Sequence, residues 1–145
     1  GTKLAYLVQA PTVLTGNVGG HNVIDVTDPK KPVASDNVRM GSHPTVYPVT
    51  PVAARKTVAF PSTKDNKLSV VEMKLEGNIA SQAKTVEVGS EESLAYGVTS
   101  TPDGRVLVAV SGGRYIGVVD LEAGTAFTVP WELTKSGPTE VKLIP

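Results

Sequence analysis

The side chains best able to do chemistry in this chain are its two histidines, His21 and His43, against a background of 14 acidic residues, 14 lysines and arginines, and no cysteine. Imidazole titrates near neutrality and binds metals, so each histidine is a candidate ligand or acid–base group. His43 precedes Pro44, where the alternative is a turn histidine bonded to nearby backbone. His21 follows Gly19-Gly20, a pair that lets backbone approach a ligand closely but also suits an ordinary hairpin turn. Glu91 and Glu92 could work as an acid and base with one pKa raised by the other, although adjacent carboxylates on a loop usually both face water. Arg114, between Gly113 and Tyr115, could clasp a carboxylate in its planar fork or cap a hairpin. Lys64 and Asp65 add one charge of each sign in a polar stretch.

No metal or cofactor is expected. The histidines and carboxylates are scattered without a ligand spacing, and Asp28, Asp65 and Asp103 stand in turn sequences rather than in a calcium loop. Nucleophile-elbow, Walker, zinc-protease and haem-attachment motifs are all absent. Gly16-Asn17-Val18-Gly19-Gly20 has the glycines of a phosphate loop but no helix is expected after it, so the dipole that holds phosphate is missing.

These residues are positioned by a repeat. A short apolar run ends in an acidic residue three times, at Asn22-Val23-Ile24-Asp25, Leu68-Ser69-Val70-Val71-Glu72 and Ile116-Gly117-Val118-Val119-Asp120, with acidic ends 47 and then 48 residues apart. A period of that length, carried by β-branched residues, 14 glycines and 11 prolines, predicts repeated four-stranded antiparallel sheets, the blades of a β-propeller. The clearest copy predicts strands over 94–100, 105–110, 115–121 and 125–129, with Thr101-Pro102-Asp103-Gly104 as its first turn. The middle copy predicts strands over 45–50, 56–60, 67–75 and 84–88, with a polar loop over 62–66. The first copy has strands over 3–8, 21–26 and 33–40 and lacks an innermost one. Residues 137–145 read like the opening strand of the middle copy and are expected to supply such a strand. The expected organisation is a partial blade over 1–40, blades over 41–88 and 89–131, and a completing inner strand over 132–145. Three blades do not close a ring, so a second copy or further sequence is expected to complete it. A three-sheet sandwich is the alternative.

Gly41-Ser42-His43-Pro44 before an inner strand, Thr101-Pro102-Asp103-Gly104-Arg105 before a valine-rich strand, and Val118-Val119-Asp120 resemble the YVTN family of propeller repeats. Residues 23–33, from Val23-Ile24-Asp25 to Lys31-Pro32-Val33, are similar to the related LVIVD repeat. The turn Val52-Ala53-Ala54-Arg55 departs from the pattern by lacking Asp-Gly, and Glu72 stands where Asp is usual. The resemblance implies a seven-bladed habit, a secreted or periplasmic location with the cell surface as a variant of it, and no particular activity.

Equal numbers of cationic and anionic residues argue against nucleic acid as a partner, and apolar runs under ten residues argue against membrane insertion. In a propeller the loops from second to third strand and from outer to next inner strand share one face. That face would gather His21, His43, Lys64, Asp65, Glu91, Glu92 and Arg114 as a ligand-binding set around the tunnel. The expected function is a non-catalytic scaffold that recognises a protein, peptide or glycan there and associates with itself or with the remainder of a longer propeller. The alternatives are part of a propeller enzyme, either a lactonase-like hydrolase or a subunit of a quinone or haem oxidoreductase, and a subunit of a filament or surface layer.

Overall fold

The computed structural model describes residues 4–9, 20–34, 38–39, 48–64, 66–76, 79–90, 95–132 and 135–144. The chain divides into two compact units, residues 1–46 with 74–81, and residues 47–73 with 82–145.

In the first unit β1 (Leu4–Gln9) pairs antiparallel with β2 (Gly20–Asp25), Leu4 opposite Asp25 and Gln9 opposite Gly20. On the far side of β2 lie two short pieces, β3 (Val33–Ala34) against Ile24 and Asp25 and β4 (Val38–Arg39) against Gly20 and His21. The outer strand expected over 33–40 is therefore two pieces on one neighbour. Asp25 closes β2, its Oδ1 accepting a 2.9 Å hydrogen bond from the Thr27 amide, and the Thr27 hydroxyl together with that amide holds its carboxyl below the usual carboxylate range.

Most of the second unit is two four-stranded sheets built as antiparallel meanders, residues 74–76 and 79–81 of the first of them being counted with the first unit. One runs β5 (Thr50–Val52), β6 (Thr57–Lys64), β7 (Lys67–Glu76), β8 (Ile79–Ser90); the other runs β9 (Ala95–Ser100), β10 (Arg105–Val110), β11 (Tyr115–Asp120), β12 (Thr125–Pro130). Chain order equals spatial order in both, so each connection is a hairpin. Sequence periodicity explains which side packs. In β10, Val106, Val108 and Val110 point one way and are fully buried, meeting Val52, Ala59, Leu68, Val70, Val86 and Val88 of the neighbouring sheet. Burying valine-sized side chains contributes about 1.5–3 kcal/mol each, and this shared core holds the two sheets face to face. Gly117 permits the close approach: a Cβ there would lie 2.5 Å from Val88 Cγ1.

Three fastenings join the sheets through main-chain carbonyls. Lys84 donates to Leu121 O at 2.6 Å and to Glu122 O at 2.9 Å, Ser100 Oγ donates to Pro51 O at 2.6 Å, and Tyr115 Oη donates to Val88 O at 3.3 Å.

Several expected boundaries move. The polar stretch over 62–66 is largely strand, because β6 continues to Lys64 and the chain reverses at Asn66 in the left-handed region (φ 61°). The outer strand expected over 84–88 extends to Ile79–Ser90. In the inner strand of the middle copy only Thr50–Val52 pairs, two prolines limiting the amides available to a ladder, and 45–47 lie outside the described residues. Residues 135–144 carry no strand ladder and pass over β9, where a Cβ on Gly97 would lie 2.8 Å from Glu140 Cα. No helix among the described residues is long and apolar enough to cross a membrane.

Candidate functional site

In the second unit the turn before β6, the turn before β10 and the turn between β11 and β12 lie at one end of the strands. The turn before β10 is set by Thr101-Pro102-Asp103-Gly104: the Gly104 amide donates to Thr101 O at 3.0 Å, the Arg105 amide to Thr101 Oγ1 at 3.0 Å, and Gly104 takes the positive φ (89°) that closes the reversal. The Thr101 hydroxyl also bonds the Asp103 carboxylate; this bond, with the Arg105 charge, holds Asp103 below the usual carboxylate range. Arg105 Nη1 is 3.5 Å from Asp103 Oδ2 on an exposed surface.

The turn before β6 has the same hydrogen-bond skeleton from different residues. Ala53–Arg55 form a short 3-10 turn, the Lys56 amide donates to Ala53 O at 3.2 Å, and Lys56 occupies the left-handed position (φ 53°) that Gly104 fills in the other sheet. Arg55 then reaches inward. Its Nε donates to Glu72 Oε1 at 2.7 Å and its Nη2 to Oε2 at 3.2 Å, while Thr57 Oγ1 donates to Oε1 at 2.8 Å. Glu72 is 1 % exposed. Burial pushes its pKa up, but the hydrogen bonds from Arg55 and Thr57 and the nearby charges of Arg55 and Lys84 outweigh that, and the net direction is down. A carboxylate so engaged is a structural anion and not a proton donor. At the matching place in the other sheet Asp120 bonds its own turn, Oδ1 accepting from the Ala123 amide at 2.9 Å.

Between these turns lies a cleft of about 360 Å³ lined by Ala54, Arg55, Asp103, Gly104, Arg105, Asp120 and Glu122. Its walls are guanidinium and carboxylate groups on hydrogen-bonded turns, and Lys84 fixes the Leu121–Glu122 backbone from behind. The Glu122 carboxylate has no hydrogen-bonded partner among the described residues. With donors and acceptors alternating along it, the cleft is furnished for polar recognition.

None of the described residues singled out from sequence for ligand binding lines this cleft. His43, Asp65, Glu91 and Glu92 lie outside the described residues. His21 is in β2 opposite Val8 and Val38, and Lys64 ends β6. Arg114 is at the other end of β10 from the cleft. Its backbone is left-handed (φ 54°), its amide donates to Ser111 O at 3.2 Å, and its carbonyl accepts from the Trp131 amide at 2.8 Å. These backbone bonds place Arg114 in the hairpin turn between β10 and β11. Among the described residues no three possible metal ligands gather.

Sequence reasoning passed over the cleft because both histidines pointed to the opposite loops. A signal existed in the repeat. Arg55 stands where the third copy has Asp103 and Thr57 where it has Arg105, so the charges of that turn change while Glu72 and Asp120 keep the same sign. No family model matches this chain, and no curated protein and no solved structure is significantly similar to it.

Proposed function

We propose that this chain is a non-catalytic scaffold of β-propeller type that recognises a protein, peptide or glycan. The observation supporting it is the recurrence of one meander in two stacked sheets, with turns of matching skeleton and differing charge at one end. Such a frame fixes side chains on turns whose backbone is already ordered, so little conformational entropy is lost when a partner binds. Recognition uses the cleft at Arg55, Asp103, Arg105, Asp120 and Glu122. Arg105 supplies hydrogen-bond donors, Glu122 an acceptor, and the spacing of both signs suits a chain that carries donors and acceptors along its length, as a peptide backbone or a sugar does.

The test is binding of the purified chain to an unmodified peptide library and to a glycan array, repeated with Arg105→Glu and Glu122→Lys. Both side chains are exposed, so both variants should fold like the parent by circular dichroism. The expected result is a set of binders whose affinity falls about tenfold or more in each variant, a loss of about 1.4 kcal/mol. Equal binding by parent and variants, or none in either library, would overturn the reading.

A further inference from the structure

The sheet β9–β12 is apolar on both faces, yet only one is covered. One face meets β5–β8 through Val106, Val108, Val110 and Val119. The other presents Leu107, Ile116 and Val118, all partly exposed, and Phe127 and Val129, 61 % and 47 % exposed. Counting from the matching acidic residues Glu72 and Asp120, Ala59, Leu68 and Val70 correspond to Leu107, Ile116 and Val118. In the outer strands, Val86 and Val88 correspond to Phe127 and Val129. All five residues of the first set are buried in the core shared by the two sheets. The open face of β9–β12 is therefore the counterpart of a face that, one repeat earlier, is covered by a sheet.

Residues 138–144 lie beside this face. Of these, Thr139–Lys142 line a groove of about 590 Å³ with Pro48 and residues 96–99, and Glu140 passes so close to Gly97 that no Cβ fits between. Gly137 at their start passes over Ser111, where a Cβ would come within 2.0 Å of its carbonyl oxygen. This is the flank of β9 that an innermost strand of a following sheet would occupy, as β9 itself stands beside β5, tied by Ser100 to Pro51. Leu143 and Ile144 are exposed, Ile144 by 89 %.

The N-terminal sheet shows no such strand among the described residues. Among the described residues β1 pairs with β2 alone, leaving β1 as an inner edge. Its register repeats that of β10 and β11: Leu4 faces Asp25 as Arg105 faces Asp120. Ala5 and Leu7 thus hold the register positions of Val106 and Val108, and Ile24 and Val26, both partly exposed, those of Val119 and Leu121. Those are the positions through which β9–β12 covers its neighbour.

We propose that the open face of β9–β12, with residues 138–144 as an added inner strand, is the docking surface for the N-terminal sheet β1–β4 of a second copy of this chain. Two copies related by a two-fold axis make this contact twice, each covering the open face and the inner edge that the described residues of the other present. Pairing of 138–144 with β1 is addition of a strand to a sheet edge, in which main-chain hydrogen bonds supply the affinity. This assembly rests on the blade reading proposed above.

The absence of cysteine in the chain makes a direct test simple. Tyr6→Cys with Lys142→Cys, oxidised and run without reductant, is expected to give a covalent dimer in which a peptide containing position 6 of one copy is joined to a peptide containing 142 of the other. Mixing a mass-labelled copy with an unlabelled one shows whether the link crosses copies. Light scattering on the full chain is expected to give a concentration-stable mass of twice 15.1 kDa. Phe127→Arg, at an exposed position, should halve that mass. Hydrogen exchange at 139–144 should be slow in the parent and fast in the variant.

A monomeric parent, a link within one copy, or a mass that keeps rising with concentration overturns the proposal. Amide protection in β5–β12 separates this failure from the other. If it persists in a monomer, the assembly alone is refuted; if it is absent from the parent, the blade reading falls as well.

Discussion

The turns at 53–57 and 101–105 do the same mechanical work with opposite electrostatics. In the later one, Asp103 and Arg105 form a pair in water, and Asp120 spends its carboxylate on its own turn. In the earlier one, arginine takes the place of Asp103, threonine that of Arg105 and glutamate that of Asp120. The longer acid and the shifted cation meet inside the sheet as a two-pronged pair capped by a hydroxyl. The backbone tolerates the exchange because its reversal depends on one residue with positive φ and one amide-to-carbonyl bond, present in both. Position within the repeat fixes the turn, and the side chains decide whether its charge is buried or displayed.

Breaking the buried pair should show the largest difference between the turns. Glu72→Ala leaves the Arg55 guanidinium partly buried and unpaired, and should cost about 3 kcal/mol in urea unfolding, whereas Asp120→Ala removes one turn bond and should cost about 1 kcal/mol. The difference should also depend on pH. Because the folded-state pKa of Glu72 is lower than its ordinary value of 4.5, its contribution is complete above that value and is lost as pH falls through the folded one. The stability profile of Glu72→Gln should be flatter than the parent's on the acid side of that value.

Next in size is the contact between the sheets. Gly117→Ala forces a methyl against Val88 and should cost about 1–3 kcal/mol, and Val88→Ala added to it should recover part of the loss, which a double-mutant cycle would detect. A smaller and opposite pair of effects tests the turn backbone. Gly104→Ala should destabilise by about 1 kcal/mol, while Lys56→Gly should be neutral or stabilise by up to about 1 kcal/mol. The smallest effect is expected at Asp103→Asn, whose urea midpoint should stay close to the parent's, since its partner is exposed.

The third copy of the repeat was the most legible in sequence because each of its strands is bounded by a strong punctuator. Pro-Asp-Gly before β10 and Gly-Gly-Arg after it delimit Arg105–Val110, where expectation and structure coincide. The middle copy was less so. Ser62, Thr63 and Lys64 are polar by type, yet they continue a strand, and Thr63 is buried. Composition reports what a residue prefers, while the reach of a hairpin depends on where its turn is set, here at Asn66. The cleft was legible only as a change of charges between copies, since neither Arg55 nor Glu122 belongs to a recognisable motif. Glu72 was marked by its place in the repeated phrase, but its partner is 17 residues away and met through the fold.

The three fastenings between the sheets share a design with an evolutionary consequence. In each, a side chain donates to a main-chain oxygen, at Leu121 and Glu122, at Pro51 and at Val88. Every amino acid carries that oxygen, so mutation at the receiving positions leaves the acceptor in place, and only Lys84, Ser100 and Tyr115 are under constraint from these bonds. One repeat can therefore drift in sequence while its neighbour continues to hold it, and copies of the unit can grow unlike one another before their stacking is lost.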